Sequence, residues 1–223
     1  MYTAYSFDMW NTLIKGNPAY IPARNKFLLE YLDDNTITDE AINATFDSVK
    51  KEFEAIGMMF NNAPDPLEIL SMTMLRLTGN LKNSTLDKVV TLYNILEAIF
   101  LDNPPVLTSE DVVTTLAMLA DRGAILGILS NTFFFKGETL DKVLRIHNIH
   151  DLFNFSLYSD KLGKLKPDEK AFREMFMYAG RPMSQIIHIG DDYRCDVAGA
   201  KEHGIDSYHI DHESRKIKDV LSL

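Results

Sequence analysis

The sequence predicts an α/β fold: a doubly wound parallel sheet carrying a small α-helical unit inserted near its start. Three observations lead there. Through the second half of the chain, short apolar runs ending in polar, turn-forming residues alternate with amphipathic helical stretches, the pattern of strands joined by helical crossovers. Between about Tyr20 and Phe100 the apolar residues keep helical spacing, and no strand pattern intervenes. Asp102-Asn103-Pro104-Pro105 then punctuates the change of style. The expected division is 1–15 with 101–223 as the α/β unit and 16–100 as the helical one.

Taken in order, Ala4 to Leu13 is a short apolar run that delivers Asp8 and breaks into polar residues, so it reads as a buried strand with Asp8 at its carboxyl end. Gly16 and Pro18 mark a turn. Phe27, Leu28, Tyr31 and Leu32 share one helical face, as do Ile42, Phe46, Val49, Phe53 and Ile56. Leu67, Leu70, Met74 and Leu77 form a third such set, and Leu86, Val89, Val90, Tyr93, Leu96 and Phe100 a fourth. Thr108 to Asp121 is expected as a helix, with Glu110 and Asp111 suiting the dipole at its start and Gly123 just past its end.

Ala124 to Leu129 is a strand ending in Ser130-Asn131-Thr132, and a helix follows over about Glu138 to His147. Phe153 to Tyr158 is a strand, then a loop holds Gly163, Lys166 and Pro167, and Pro167 opens a helix closed by Gly180. Gln185 to Ile189 ends in Gly190-Asp191-Asp192. A helix over about Tyr193 to His203, a strand at Asp206 to Ile210 and a tail helix at Glu213 to Leu221 complete the chain.

The 223 residues suffice for one sizeable core plus a small appended unit, and 46% hydrophobic with 25% charged residues excludes disorder as the main state. A formal charge of -9, from 32 acidic against 23 basic residues, argues against nucleic acid or an anionic membrane as a partner. An anionic substrate must therefore meet local positive charge or a metal. The one cysteine, Cys195, permits no intrachain disulfide. The opening residues carry neither a basic n-region nor a long apolar run, so the expectation is a cytoplasmic protein without secretory leader or membrane anchor.

Four strand ends carry polar residues of complementary kinds: Asp8 with Thr12, Ser130 with Asn131, Lys166 before a helix start, and Asp191 with Asp192 and Asp196. Taken singly, each has a plainer reading: an aspartate capping a turn, a helix cap at Ser130 or Asn131, a solvated loop lysine. In a parallel sheet, however, all four fall along one edge, where open α/β sheets bind ligands. Together they resemble the haloacid dehalogenase superfamily. Its first motif is matched by Phe7-Asp8-Met9-Trp10-Asn11-Thr12-Leu13, its second by Leu129-Ser130-Asn131-Thr132 and its third by Gly163-Lys164-Leu165-Lys166-Pro167-Asp168 with Phe172. The fourth is matched by Ile189-Gly190-Asp191-Asp192-Tyr193-Arg194-Cys195-Asp196-Val197-Ala198-Gly199-Ala200. The resemblance runs in order from end to end of the chain and places a helical cap where the insert lies.

An aspartate can attack phosphorus or an activated carbon and split one hard step into two. Nucleophile and phosphate repel each other, so a hard divalent cation with oxygen ligands belongs between them. Asp8 and Asp191 can supply those ligands, the resemblance adds the backbone carbonyl of Trp10, and Mg2+ is the expected ion. Lys166 would hold Asp8 ionised, while Ser130 and Asn131 donate hydrogen bonds to the transferring group. The resemblance thus implies Asp8, Lys166, Ser130 and Asn131 as catalytic residues and Thr12, Ser130, Asn131 and Lys166 as phosphate contacts. Asp192 and Asp196 are expected behind them, with Asp196 alternatively starting the next helix.

One position departs from the pattern. Phosphatases of this superfamily usually carry a second aspartate two residues after the nucleophile, to protonate the leaving oxygen; here it is Trp10. Indole is a donor only, and losing a positioned acid/base costs about 10² to 10⁴ in rate. The expected activity is nonetheless hydrolysis of a small phosphorylated metabolite through an aspartyl-phosphate on Asp8, with His188 or Asp192 as stand-ins or a leaving group that needs no proton. Metal-free dehalogenation of a 2-haloacid is the first alternative, because halide leaves unprotonated and the dehalogenases carry an aromatic residue here. Against it, Asp191 beside Asp8 would repel a carboxylate substrate. A non-catalytic phosphate-binding module is the second alternative. Arg24, Lys26, Lys50, Lys51 and Arg76 are available in the insert to meet a charged substrate, and Trp10 with Phe133 to Phe135 could wall the site.

Overall fold

The computed structural model describes residues 2–60, 62–80 and 85–223. Its sheet grows outward from β1 (Ala4–Phe7), all four residues of which are buried. The chain then makes a two-residue strand, β2 (Ile14–Lys15), and enters four helices: α1 (Tyr20–Leu32), α2 (Asp39–Phe60), α3 (Pro66–Thr78) and α4 (Leu86–Asp102). Their buried faces hold many of the residues that the helical spacing singles out, among them Leu28, Phe46, Val49, Met74, Leu96 and Phe100, whereas Tyr31, Ile56, Leu86 and Val90 of the same sets are exposed, at the solvent-facing margins of their helices. Asp65 starts α3 by accepting from the Leu67 N–H at 2.7 Å, while Glu68 reaches back to the Asp65 N–H.

β3 (Val106–Leu107) returns antiparallel to β2, and from there helix and strand alternate: α5 (Asp111–Asp121), β4 (Ile125–Ser130), α6 (Gly137–Ile146), β5 (Phe155–Tyr158), α7 (Ser159–Leu162), α8 (Glu169–Ala179) and β6 (Ile186–Gly190). A π-helical turn at Tyr193–Ala198 runs into α9 (Gly199–Glu202), followed by β7 (Asp206–His209) and a closing 3-10 turn at Ile217–Ser222. The five longer strands are all parallel, in the order β5-β4-β1-β6-β7. β1 is therefore central, in keeping with the burial of all four of its residues.

Alternate residues serve opposite faces. Tyr5, Phe7, Leu126, Ile128, Ile187 and Ile189 join one apolar cluster with α5 and α6, whereas Ala4, Leu129, Leu157 and Ile186 join another with Ala171, Phe172 and Met175 of α8. That is the doubly wound architecture the sequence predicts. Each fully buried Ile, Leu or Phe contributes roughly 1.5–3 kcal/mol, so strands this short depend on cover from both faces. The first cluster continues without a break into α1, α2 and α4.

Several boundaries fall later than the sequence patterns suggest, each for a local reason. α5 begins at Asp111 rather than Thr108 because Thr108 is used by the β2–β3 region, its N–H and hydroxyl donating to Leu13 and Thr12 carbonyls at 3.0 and 2.8 Å. α8 starts at Glu169, with the Asp168 side chain rather than Pro167 organising its first turn by accepting from the Lys170 N–H at 2.8 Å. The tail helix is confined to Ile217–Ser222, because the Asp211 carboxylate gathers the N–H groups of Glu213, Ser214 and Arg215 into a turn. The segment after Asp192 is π-helical for most of its length.

Candidate active site

β1 carries Asp8 to the carboxyl edge of the sheet, where its N–H makes a last rung to the Ile189 carbonyl at 2.8 Å. The chain then folds back sharply: Leu13 and Ile14 both donate to the Met9 carbonyl at 3.0 Å, and the Asn11 N–H donates to Ile14 at 2.7 Å. Asn11 takes a left-handed conformation, φ 52°, which asparagine tolerates better than most residues. Three further strand ends arrive at the same edge: Ser130 from β4, the loop holding Lys166 after β5 and α7, and Asp191 after β6.

Lys166 is the link between them. Its ammonium, 2% exposed, donates to Asp8 Oδ1 at 2.7 Å and to Asp196 Oδ1 at 2.6 Å. The backbone of Lys166 is clasped by one side chain: its N–H donates to Asn131 Oδ1 at 2.7 Å, and Asn131 Nδ2 donates to its carbonyl at 3.2 Å. Asn131 thereby ties the end of β4 to the lysine loop. Asp196 can come so close to the end of β6 because residue 190 is glycine; a Cβ there would lie 2.2 Å from the Asp196 carboxyl carbon. Asp196 also accepts from His188 Nε2 and from the Asp192 N–H, both at 3.0 Å, and His188 Nδ1 meets the Ser6 hydroxyl at 3.0 Å.

Burial pushes the Asp8 carboxyl up to about 7, with Lys166 pulling against it and Asp196 and Asp191 adding to it. Asp191 is likewise raised, by burial and by Asp196. Burial acts upward on Asp196 too, but Lys166 and His188 outweigh it and hold that carboxyl well below the usual range. Lys166 stays above its ordinary range despite burial, because Asp196 and Asp8 flank it. Burial keeps His188 neutral, so Nε2 donates to the carboxylate and Nδ1 accepts from Ser6.

One oxygen from each of Asp8, Asp191 and Asp196 lies within 4.8 Å of the others. With all three carboxylates ionised against one ammonium the cluster would be doubly negative, which is why Asp8 and Asp191 are raised, and every donor in it is a hard oxygen. Both Asp196 oxygens are engaged by protein donors, so Asp8 and Asp191 are the pair whose oxygens could share an ion. That donor set fits a hard divalent cation such as Mg2+.

A cavity of about 370 Å³ opens in front of the cluster. Asp8, Trp10, Asn131, Lys166, Asp191, Asp192 and Asp196 all border it, and so do Phe133, Phe134 and Phe135. Thr12 and Ser130 do not. Thr12 is fully buried and its hydroxyl turns to Asp191 Oδ1 at 3.4 Å, while the Ser130 hydroxyl lies 3.5 Å from the Asn131 carbonyl. Asp192 caps the π-helical turn through the Cys195 N–H at 2.8 Å. His188 is wholly buried behind Asp196, away from the cavity. The pairing of His188 with Ser6 was invisible in sequence, although a histidine and a serine inside apolar strands that lie opposite each other in register both demanded partners. Of the five basic residues of the insert named above, Arg24 and Lys50 border the cavity; Arg76 is paired with Glu52, and Lys26 and Lys51 are exposed.

A family model described as haloacid dehalogenase-like hydrolase matches residues 2–204. The chain belongs to that family of hydrolases. Among curated proteins, this haloacid dehalogenase-like hydrolase is similar to the glyceraldehyde 3-phosphate phosphatase of Methanopyrus kandleri, 24% identical over 226 residues that cover 99% of this chain and 91% of that protein. It is also similar to mouse haloacid dehalogenase-like hydrolase domain-containing protein 3, 31% identical over 101 residues; the match covers 45% of this chain and only 39% of the mouse protein's length. Its fold is that of the magnesium-bound putative HAD-hydrolase YfnB from Bacillus subtilis, with a TM-score of 0.72 at 16% identity over 96% of this chain and 91% of that one. Among the described residues no helix is long and apolar enough to cross a membrane.

Proposed function

We infer that this hydrolase is a magnesium-dependent phosphatase of a small phosphorylated metabolite, working through an aspartyl-phosphate on Asp8. The observation that carries the reading is the Lys166 ammonium held between Asp8 and Asp196 beside the second carboxylate Asp191. Asp8 Oδ attacks phosphorus as the bond to the leaving oxygen breaks, and that oxygen departs with the electron pair. Lys166 keeps Asp8 aligned and ionised and sets a positive charge beside the transferring oxygens; Asp196 keeps Lys166 in place, and Asn131 keeps its loop in place. Asp8, Asp191 and the Trp10 carbonyl would hold Mg2+, whose charge would offset the repulsion between nucleophile and phosphate. Water then attacks the phosphorus of the aspartyl-phosphate, releasing inorganic phosphate and restoring Asp8.

Trp10 borders the cavity where a proton carrier would stand. With His188 sealed behind Asp196 and Asp192 engaged as a cap, a leaving group that departs as a stable anion, as in an acyl or aryl phosphate, suits the site best. The helices of 16–100 form the cap that selects the substrate. Trp10 also favours a second reading, halide displacement, which needs no proton; Asp191 opposes it, since it repels a substrate carboxylate. The deciding experiment incubates the protein with acetyl phosphate and with p-nitrophenyl phosphate, with and without magnesium, followed by acid quench and mass analysis. Phosphate on Asp8 that requires magnesium and is lost in Asp8→Asn supports the phosphatase. Magnesium-dependent binding without label or turnover would make the chain a binding module, and metal-free halide release from a 2-haloacid would make it a dehalogenase.

A further inference from the structure

Arg24 is a charge in a place where charge is costly. It sits on α1, 6% exposed, with its guanidinium carbon 4.0 Å from the centroid of the Phe46 ring and 5.9 Å from that of Tyr20. Its Nε and Nη2 donate to Asn25 Oδ1 at 3.0 and 2.8 Å, and Nη2 donates also to Asn43 Oδ1 at 2.6 Å. Asn25 Nδ2 closes the group by donating to Asn43 Oδ1 at 3.0 Å. Every one of these partners is a neutral amide. Among the described residues Arg24 forms no ion pair, Asp47 acting on it only from farther off, and Nη1 donates to no protein atom. A cation that is buried, immobilised and left without a counter-charge is unfavourable unless something else brings the anion.

The cavity in front of Asp8 is where that anion has access, because Arg24 lines it. The cavity lining differs in charge between its two sources. The acidic cluster and Lys166 come from the strand ends of the sheet, whereas Arg24, Lys50 and Glu54 enter from the insert helices α1 and α2. Aromatic rings lie between: Trp10 is 6.4 Å from Phe100, Phe100 is 5.3 Å from Tyr20, and Tyr20 adjoins Arg24. The insert contributes two cations and one carboxylate, so its lobe carries a single positive charge, which suits a monoanion better than a second phosphate. The free Nη1 edge of a guanidinium presents its N–H groups to carboxylate oxygens in a fixed plane.

We propose that Arg24 binds a carboxylate on the substrate, so that the site takes small monophosphates whose apolar or aromatic body carries a carboxylate at the end remote from the phosphoryl group. This rests on the phosphatase reading for the identity of the other end, and it assigns the insert a definite chemical selection. The Asn25–Asn43 pair acts as a positioning device that turns the guanidinium edge without neutralising it.

The test compares two non-hydrolysable ligands of one shape, 4-(phosphonomethyl)benzoate and 4-(phosphonomethyl)benzamide, by calorimetric titration with magnesium present. The carboxylate should bind the intact protein at least about tenfold tighter than the amide. In Arg24→Met the two should bind within about threefold of each other, and Arg24→Lys should recover part of the preference. Equal affinities in the unaltered protein, or no binding of either ligand, overturn the proposal without reliance on any variant. Turnover of 4-carboxyphenyl and 4-carbamoylphenyl phosphate, measured in parallel, separates the two readings. Magnesium-dependent hydrolysis with no preference sinks the carboxylate site and leaves the phosphatase standing; a binding preference with neither ester hydrolysed does the reverse.

Discussion

Removing the ammonium between Asp8 and Asp196 should destabilise the protein more than removing either neighbour's charge, and the excess should disappear when Asp196 is neutralised as well. In Lys166→Met the two carboxylates keep oxygens within 4.8 Å of each other and lose the cation that separates them. At about pH 9.5, far enough above the raised Asp8 carboxyl for both groups to be ionised, an effective dielectric constant of about 20 makes that distance a repulsion of at least about 3.5 kcal/mol. Breaking a buried pair by deleting one partner typically costs about 3–5 kcal/mol, which agrees in size. At roughly 2–4 °C per kcal/mol for a chain of this length, a loss of about 4 kcal/mol lowers Tm by roughly 8–16 °C.

Asp196→Asn should be milder, at about 1–2 kcal/mol, because Lys166 keeps Asp8 at 2.7 Å and an amide oxygen can still accept one hydrogen bond. The double variant should fall short of the summed losses by about 3 kcal/mol, the repulsion that only Lys166→Met exposes. Urea denaturation with a chelator present, so that no cation can fill the gap, measures all four species of the cycle. Additivity within about 0.5 kcal/mol would refute the argument that the lysine screens two buried anions, as would a Lys166→Met protein no less stable than the parent.

Two further outcomes follow from the same geometry. Trp10→Asp places a carboxyl where the cavity has indole, so turnover of a simple alkyl phosphate should rise at least about tenfold while p-nitrophenyl phosphate changes by less than about threefold; an equal gain on both esters would show that residue 10 does not stand where the leaving oxygen is protonated. Magnesium at a hundred times its dissociation constant should stabilise the fold by about 2.7 kcal/mol, or roughly 5–11 °C in a thermal melt, and Asp191→Asn should lose most of that shift; the absence of any shift in the parent protein would remove Mg2+ from the site.

Much of the fold was legible because its determinants are local. The alternating apolar runs of β1, β4 and β6 and the 3.6-residue spacing of α1 to α4 are properties of neighbouring residues, and they survive folding unchanged. Boundaries failed where a distant or looping partner intervened, as at Thr108, drawn into the β2–β3 region, and at Asp211, whose carboxylate holds back the tail helix. The candidate site divides in the same way. Asp8, Lys166 and Asp191 were picked out by position at strand ends, a topological argument that needs no coordinates. Asp196 was ambiguous, because nothing in its neighbours says that Gly190 leaves room for its carboxyl beneath the end of β6.

The order of elements, the insertion of four helices after the first strand and the gathering of carboxylates and a lysine on one edge were decided by the amino-acid sequence itself, since periodicity and strand-end chemistry are written along the chain. Tertiary structure alone decided what each charge faces. It gave Lys166 two anions rather than one, turned Thr12 and Ser130 away from the cavity, spent the Asn131 amide on the lysine loop and left Arg24 among neutral amides. The reason is that the energy of a buried charge depends on separations of a few ångströms between residues far apart in the chain, such as Lys166 and Asp8, 158 positions apart.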